Sequence, residues 1–199
     1  MTLELSEASQ RFLTPFGMTA CSLFIKESKT MTITIRHTEP SDYEGMHKIF
    51  TGPKVMRGTL QLPYPSAEMW RKRLADDREH VFNLVACVGD EIVGQLYVQT
   101  SPRPRRKHAG QIGMSVRDDF QGQGVGTALL QAVTDLAVNW LNLLRIELEV
   151  FTDNEAGIRL YKKCGFVIEG TLKKYAFRAG EYVDVYAMAR FRPGWVNPE

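Results

Sequence analysis

Between a β-branched strand ending at Val116 and a helix opening near Val125, the chain carries Gln121-Gly122-Gln123-Gly124-Val125-Gly126. A helix N-terminus leaves backbone N–H groups without intrahelical partners and carries a partial positive charge. Glycines let an anion reach that backbone with no Cβ in the way. The stretch therefore predicts a strand-loop-helix unit whose natural guest is a diphosphate. A Gly-rich turn with no ligand is the simpler reading. Three alternating glycines at such a junction are more than a turn requires.

Two nucleotide patterns are excluded. No GxxxxGK[ST] occurs anywhere in the chain. A GxGxxG fingerprint fails as well, because the sixth position is Thr127 counted from Gly122 and Leu129 counted from Gly124. That fold also places its loop early, with several βαβ units after it. Here only about 70 residues follow, and they end in a hairpin.

The rest of the chain has a legible order. ITIRH (33–37) alternates as a strand, and Ser41-Asp42-Tyr43-Glu44 reads as a capping box opening a helix to about Phe50. Residues 51–65 hold turn formers and three prolines and read mostly as loop. Ser66 caps AEMWRKRLADD, whose apolar members are Met69, Trp70 and Leu74. Strands follow at 81–88, 91–100 (after the Gly89-Asp90 turn) and 111–116, with a basic connection at 103–110. After the Gly loop, Val125, Leu129, Val133, Leu136 and Trp140 recur at helical spacing. A strand (145–151), a helix ended by Gly165, and a hairpin around Ala179-Gly180 complete the series. This is an α/β (α+β) chain: a mixed, mostly antiparallel sheet of six to seven strands, with about four helices on both faces.

Bulk properties bound the function. A chain of 199 residues, 44% hydrophobic and 24% charged, fits one globular domain. That domain is expected at 31–199, since Met31 opens the first strand and residues 1–30 lack clean periodicity. The first 30 residues read as an extension, flexible or created by a start site placed too far upstream; they lack a signal peptide's plan. No apolar run reaches the length of a membrane span, and a net charge of +2 argues against nucleic acid as a partner. Cys21, Cys87 and Cys164 have neither disulfide nor metal spacing, which fits a reducing cytosol and no metal.

The loop fits (Q/R)xxGx(G/A) after a strand, through Gln121, Gly124 and Gly126. About 30 residues on stands NEAGIRLYKKCGF (154–166), an Asn, a helix and a Tyr before Gly-Phe. The pair, in this order, resembles the coenzyme A motifs of the GCN5-related N-acetyltransferase (GNAT) superfamily, and the resemblance covers about 33–190. TLQLPYPSAEMW, RPRRKH and KKYAFRAGEYVDVYAMAR look like a bacterial branch of L-amino-acid N-acetyltransferases. The resemblance implies transfer of an acetyl group from acetyl-CoA, as cosubstrate, to a primary amine, most simply the α-amine of a free amino acid. A polyamine or protein N-terminal acetyltransferase, and a coenzyme A-binding sensor without chemistry, stay open. A homodimer is compatible with it.

The same resemblance assigns candidate residues. Holding coenzyme A falls to the backbone of Gln121, Gly122, Gln123, Gly124, Val125 and Gly126, to Ser115 and Val116 on the preceding strand, and to Asn154. In that family two strands splay and the pantetheine arm fills the gap, with a backbone N–H near Val116 facing the thioester oxygen. Tyr161 is the expected general acid, since a phenol stays protonated at neutral pH. A buried aromatic is the structural alternative, and Asn154 suits a helix cap equally well. For the base, Glu149 lies twelve residues before Tyr161 and points the same way as Glu147; His108 is a second candidate. Both are equally readable as surface residues. Leu62, Tyr64 and His108 are expected on the substrate side, Leu62 and Tyr64 lining an acceptor pocket that Tyr175, Tyr182 and Asp184 reach from the last hairpin. Arg103, Arg105, Arg106 or Lys107 would supply a cation for a carboxylate; a solvated basic loop, or a contact to the 3′-phosphate of coenzyme A, is the alternative.

Overall fold

The computed structural model describes residues 31–76 and 79–194. The expected extension at 1–30, with Cys21, lies outside the described residues, so no expectation about it is tested. Cys87 and Cys164 are free thiols.

Among the described residues seven strands form one sheet: β1 (Thr34–His37), β2 (Val81–Val88), β3 (Glu91–Thr100), β4 (Ala109–Val116), β5 (Arg145–Phe151), β6 (Val167–Arg178) and β7 (Glu181–Phe191). Their spatial order is β1-β2-β3-β4-β5-β7-β6. Neighbours are antiparallel except β4 and β5, which run parallel. The mixed, mostly antiparallel sheet is as the sequence implies. Among the described residues five α-helices accompany it: α1 (Tyr43–Phe50), α2 (Pro53–Gly58), α3 (Ala67–Ala75), α4 (Val125–Asp135) and α5 (Glu155–Lys163).

Strand alternation sorts the residues into two layers. On one face, Met46, Ile49 and Phe50 of α1 and Trp70 of α3 pack against Val85, Cys87 and Ile92. Phe50 and Trp70 stack with ring centroids 4.5 Å apart. On the other face, Val125, Leu129 and Val133 of α4 and Tyr161 of α5 meet Leu84, Leu96, Val98, Ile112, Leu148 and Val150. Each fully buried aliphatic side chain contributes about 1.5–3 kcal/mol, which fixes both helical layers on the sheet.

Local departures from the sequence reading have physical causes. Residues 51–65 are not simply loop, because α2 occupies Pro53–Gly58. Its first turn is held from a distance: the Asp118 carboxylate accepts from Lys54 N at 2.8 Å and Val55 N at 3.0 Å. Gly52 is needed there, since a Cβ would lie 2.8 Å from the Asp118 carboxyl carbon. The cap before α1 also shifts. A 3-10 turn covers Pro40–Asp42, and Asp42 accepts from Glu39 N at 2.7 Å. Ser66 caps α3 as expected, accepting from Met69 N at 3.1 Å, although Met69 itself is exposed. After α4 the chain widens into a π-helical turn at Leu136–Trp140. That wider turn shifts Trp140 off the apolar stripe, leaving it 77% exposed.

One feature of the sheet positions the site. β4 and β5 pair only through Ala109↔Arg145, Gly110↔Ile146 and Gln111↔Glu147. Beyond Gln111 the two strands continue but no longer pair with each other, which opens a gap in the middle of the sheet.

Candidate functional site

Two cavities meet at that gap. The larger, about 570 Å³, runs beside the Gly loop. The smaller, about 330 Å³, lies on the α1–α3 side. Met114, Ser115, Asn154, Tyr161 and Gly58 line both.

The larger cavity is built for an anion. Gly122 and Gly124 have φ of +76° and +89°, a region that costs other residues roughly 1–2 kcal/mol. A Cβ on Gly122 would meet nothing within 4 Å, so the backbone lies bare toward the cavity. Gly124 is the N-cap of α4, and no side chain caps that helix. The Gln121 amide donates to Val116 O at 3.1 Å and ties the loop to the end of β4. Gly126 serves close packing: a Cβ there would lie 2.7 Å from Leu160 Cδ2. Lys54, Arg57, Lys163 and Arg178 line the cavity, with Asp153 the one acid there among the described residues. Asp153 is committed to Arg57 at 3.1 Å and Arg178 at 2.5 Å. Bare amides, a helix N-terminus and this cationic rim fit a polyphosphate such as coenzyme A carries. Among the described residues, no group of His, Cys, Asp and Glu is placed to hold a metal.

Tyr161 sits where the cavities join, buried at 8% exposure and edge-on to Phe166 at 5.8 Å. Burial pushes its phenol up to about 12, with smaller contributions from Tyr97 and Cys164. The hydroxyl is therefore protonated across the neutral range. Asn154 Oδ1 accepts from Gly157 N at 3.0 Å, so it does cap α5.

The smaller cavity has a polar floor made by the sheet. Register places Asn83 opposite Tyr97, Tyr97 opposite Gly113, Gln95 opposite Ser115, and Gln99 opposite Gln111. Gly113 makes room for its neighbour, because a Cβ would fall 2.4 Å from Tyr97 Cε1. Glu149 lines the same cavity and accepts from Gln111 Nε2 at 2.6 Å. Apolar walls come from Met46, Phe50, Trp70 and Leu74.

Several expected residues lie elsewhere. Leu62 and Tyr64 are 81% and 97% exposed and line neither cavity; Thr59, Leu60 and Gln61 supply that edge instead. His108 lines neither cavity; it is exposed, and its carbonyl accepts from Leu144 N at 2.9 Å. Val125 turns its side chain into the core, leaving only backbone at the loop, and the Gln123 amide folds back onto Asp119 O at 2.6 Å. Of Tyr175, Tyr182 and Asp184, only Tyr175 lines the smaller cavity, where Val185 of β7 joins it. Tyr182 packs on Phe177, and Asp184 is engaged by Lys173. The basic run lines neither cavity, and Arg106 is bound to both oxygens of Glu147 at 2.8 and 2.7 Å. Two signals for the smaller cavity had been readable. Gln95, Tyr97 and Gln99 alternate with Leu96 and Val98 on a central strand, where a uniformly apolar pattern would signal a closed core. Arg73 stands three residues after Trp70, on the same helical face.

Comparison with known proteins agrees with this geometry. The sequence profile described as the acetyltransferase (GNAT) family matches residues 44–166. The L-amino acid N-acetyltransferase AaaT of Escherichia coli (strain K12) is 48% identical over 160 residues, which span 80% of this chain and 98% of that protein. A spermidine N(1)-acetyltransferase of Vibrio cholerae is 27% identical over 176 residues, 83% of this chain and 96% of the relative. Among solved structures, a GNAT-family acetyltransferase from Streptococcus pneumoniae superimposes with a TM-score of 0.69 at 25% identity, over 80% of this chain and 99% of its own.

Proposed function

The chain belongs to the acetyltransferase (GNAT) family, and from that premise we propose that it acetylates the α-amine of free L-amino acids by direct transfer. Acetyl-CoA-dependent N-acetyl transfer is the activity of the family. One observation carries the finer reading: two cavities of different chemistry, one cationic and glycine-lined, one amide-floored, join at the buried phenol of Tyr161.

In this reading the Gly loop and the N-terminus of α4 hold the diphosphate of acetyl-CoA, and the gap between β4 and β5 receives its pantetheine arm. Ser115 and Val116 flank the gap, and a backbone N–H near Val116 is the proposed donor to the developing oxyanion. Acetyl-CoA supplies the activated acetyl thioester. Tyr161 holds the proton that the departing sulfur requires. A desolvated thiolate gains basicity from the same burial that raises the phenol, which keeps the pair matched. Glu149 is the proposed base, oriented by Gln111, and takes a proton from the acceptor amine directly or through water. His108, exposed and outside the lining of both cavities, has less support for that role. Asn154 combines its cap with a place on the wall of both cavities, which supports a contact to the arm.

The acceptor assignment draws support from the amino-acid relative at 48% identity. Spermidine relatives favour a polyamine as the second reading. A polyamine with several ammonium groups requires several acids, and Glu149 is the one carboxylate among the described residues lining the acceptor cavity. A thiol-release assay with acetyl-CoA across amino acids, polyamines and peptides separates these readings. Highest kcat/KM on free amino acids is expected; activity confined to polyamines or peptides overturns the assignment.

A further inference from the structure

Buried polar side chains need partners. Among the described residues the buried polar or charged ones are Asp42, Gln95 and Ser115. Asp42 has its partners in Arg36 and the Glu39 N–H. Gln95 and Ser115, each 6% exposed, stand opposite one another on β3 and β4 and line the smaller cavity. Among the described residues no hydrogen bond engages the Gln95 side-chain amide or the Ser115 hydroxyl. Neither group is sealed away: the buried atoms shut in without a partner are Thr38 Oγ1 and Trp70 Nε1. Both polar ends therefore open onto the cavity. The other amides of the floor are placed differently. Gln111 is committed to Glu149 at 2.6 Å, Gln99 is exposed, and Asn83 is half-buried. Gln95 thus stands beside Ser115, next to the point where the acceptor amine meets the thioester in the reading above.

We infer that Gln95 reads the acceptor's amino-acid head: its Oε1 accepts from the α-amine and its Nε2 donates to the α-carboxylate. The inference rests on the free-amino-acid reading above and names a residue that enforces it. A primary amide carries an acceptor oxygen and a donor NH2 on a single carbon. An α-amino acid carries an amine and a carboxylate on a single carbon, so donors meet acceptors at both positions. The contact to the amine also fixes its orientation toward the thioester, and Glu149, on β5, takes the proton. A simple amine fills only Oε1 and leaves Nε2 buried without a partner, which is the kind of mismatch a polar site rejects most strongly. A polyamine fails in the same way. A peptide N-terminus offers an uncharged carbonyl in place of the carboxylate, a weaker acceptor.

The test compares matched pairs that differ by the carboxylate: L-leucine with 3-methylbutylamine, and L-phenylalanine with 2-phenylethylamine. kcat/KM for each is measured on the wild-type protein, Gln95→Met and Gln95→Glu. Methionine keeps the length of the side chain and removes both polar groups; glutamate keeps the acceptor and replaces the donor by a group that repels a carboxylate. Tm and the KM for acetyl-CoA serve as controls for fold and donor binding. The wild type is expected to prefer each amino acid over its amine. Gln95→Met should cut the amino-acid kcat/KM by about 30-fold or more and the amine's by only about threefold, so the preference shrinks about tenfold. Gln95→Glu should lose the amino acids as severely while keeping the amines. A loss of stability alone would move both members of a pair alike. A preference that survives Gln95→Met, or a Gln95→Glu variant that keeps its amino-acid activity, overturns the role of Gln95 and leaves the amino-acid reading standing. A wild type that accepts the amines as well as the amino acids overturns that reading, and the role of Gln95 with it.

Discussion

Replacing Gly122 by Ala separates the loop's ligand role from its backbone role, because a matched control exists elsewhere in the fold. Gly122 has φ of +76° and Gly89, in the β2–β3 turn, has +57°; a Cβ on either meets nothing within 4 Å. Both substitutions therefore carry a left-handed backbone penalty of about 1–2 kcal/mol. The lost chain entropy of the unfolded state returns about 0.4–1 kcal/mol of it. A net cost near 1 kcal/mol corresponds to a Tm lower by about 2–4 °C for a domain of this size, and it should be similar in the two variants. Binding should differ sharply. Gly122 lines the larger cavity, where the diphosphate is proposed to bind, whereas Gly89 does not. Losing one charge-assisted hydrogen bond of about 1.5–3 kcal/mol weakens acetyl-CoA binding by roughly 10- to 150-fold. Calorimetric titration with acetyl-CoA and thermal denaturation of both variants give the two numbers. Equal acetyl-CoA affinity in Gly122→Ala and Gly89→Ala would refute the assignment of the loop.

Asp118→Ala removes the two acceptors that start α2, at 2.8 and 3.0 Å. A loss of about 1–2 kcal/mol, or about 2–8 °C in Tm, is expected from denaturation. Acetyl-CoA binding should weaken with it, because Lys54, Val55 and Arg57 of α2 line the larger cavity. Asp42 gives a pH dependence. Burial raises its carboxyl, but the Arg36 guanidinium at 2.7 and 2.8 Å and the Glu39 N–H outweigh this and hold it below the ordinary carboxylate range. Its contribution is fully present above about pH 4 and is lost as the pH falls through the lowered native value. Tm measured against pH should therefore fall less steeply in acid for Asp42→Asn than for the wild type, from a lower plateau at neutral pH.

The parts of the molecule legible in sequence are those set by local chemistry. β5 matches RIELEVF residue for residue, and the turns at Gly89-Asp90 and Ala179-Gly180 connect the strands expected of them. Gly122, Gly124 and Tyr161 could be singled out because a left-handed glycine, a helix N-terminus and an Asn-capped helix each leave a local mark. What escaped was set by contacts distant in the chain. α2 exists because Asp118, more than 60 residues away, caps it. Leu62 and Tyr64 have the composition of a pocket wall, yet only tertiary placement decides whether an apolar loop residue turns inward, and these two turn out. Arg106 looked available in sequence, but the parallel pairing of β4 with β5 brings Glu147 to it.

The account stands on Tyr161 as the proton donor at the junction of donor and acceptor cavities. Tyr161→Phe keeps the ring, its burial and its edge contact with Phe166, and removes only the hydroxyl. Turnover of the preferred amino acid should fall by about 100-fold or more, as for loss of a positioned general acid, while Tm stays near the wild-type value and acetyl-CoA affinity stays within about twofold of it. Wild-type turnover in Tyr161→Phe, with donor binding intact, would contradict the account.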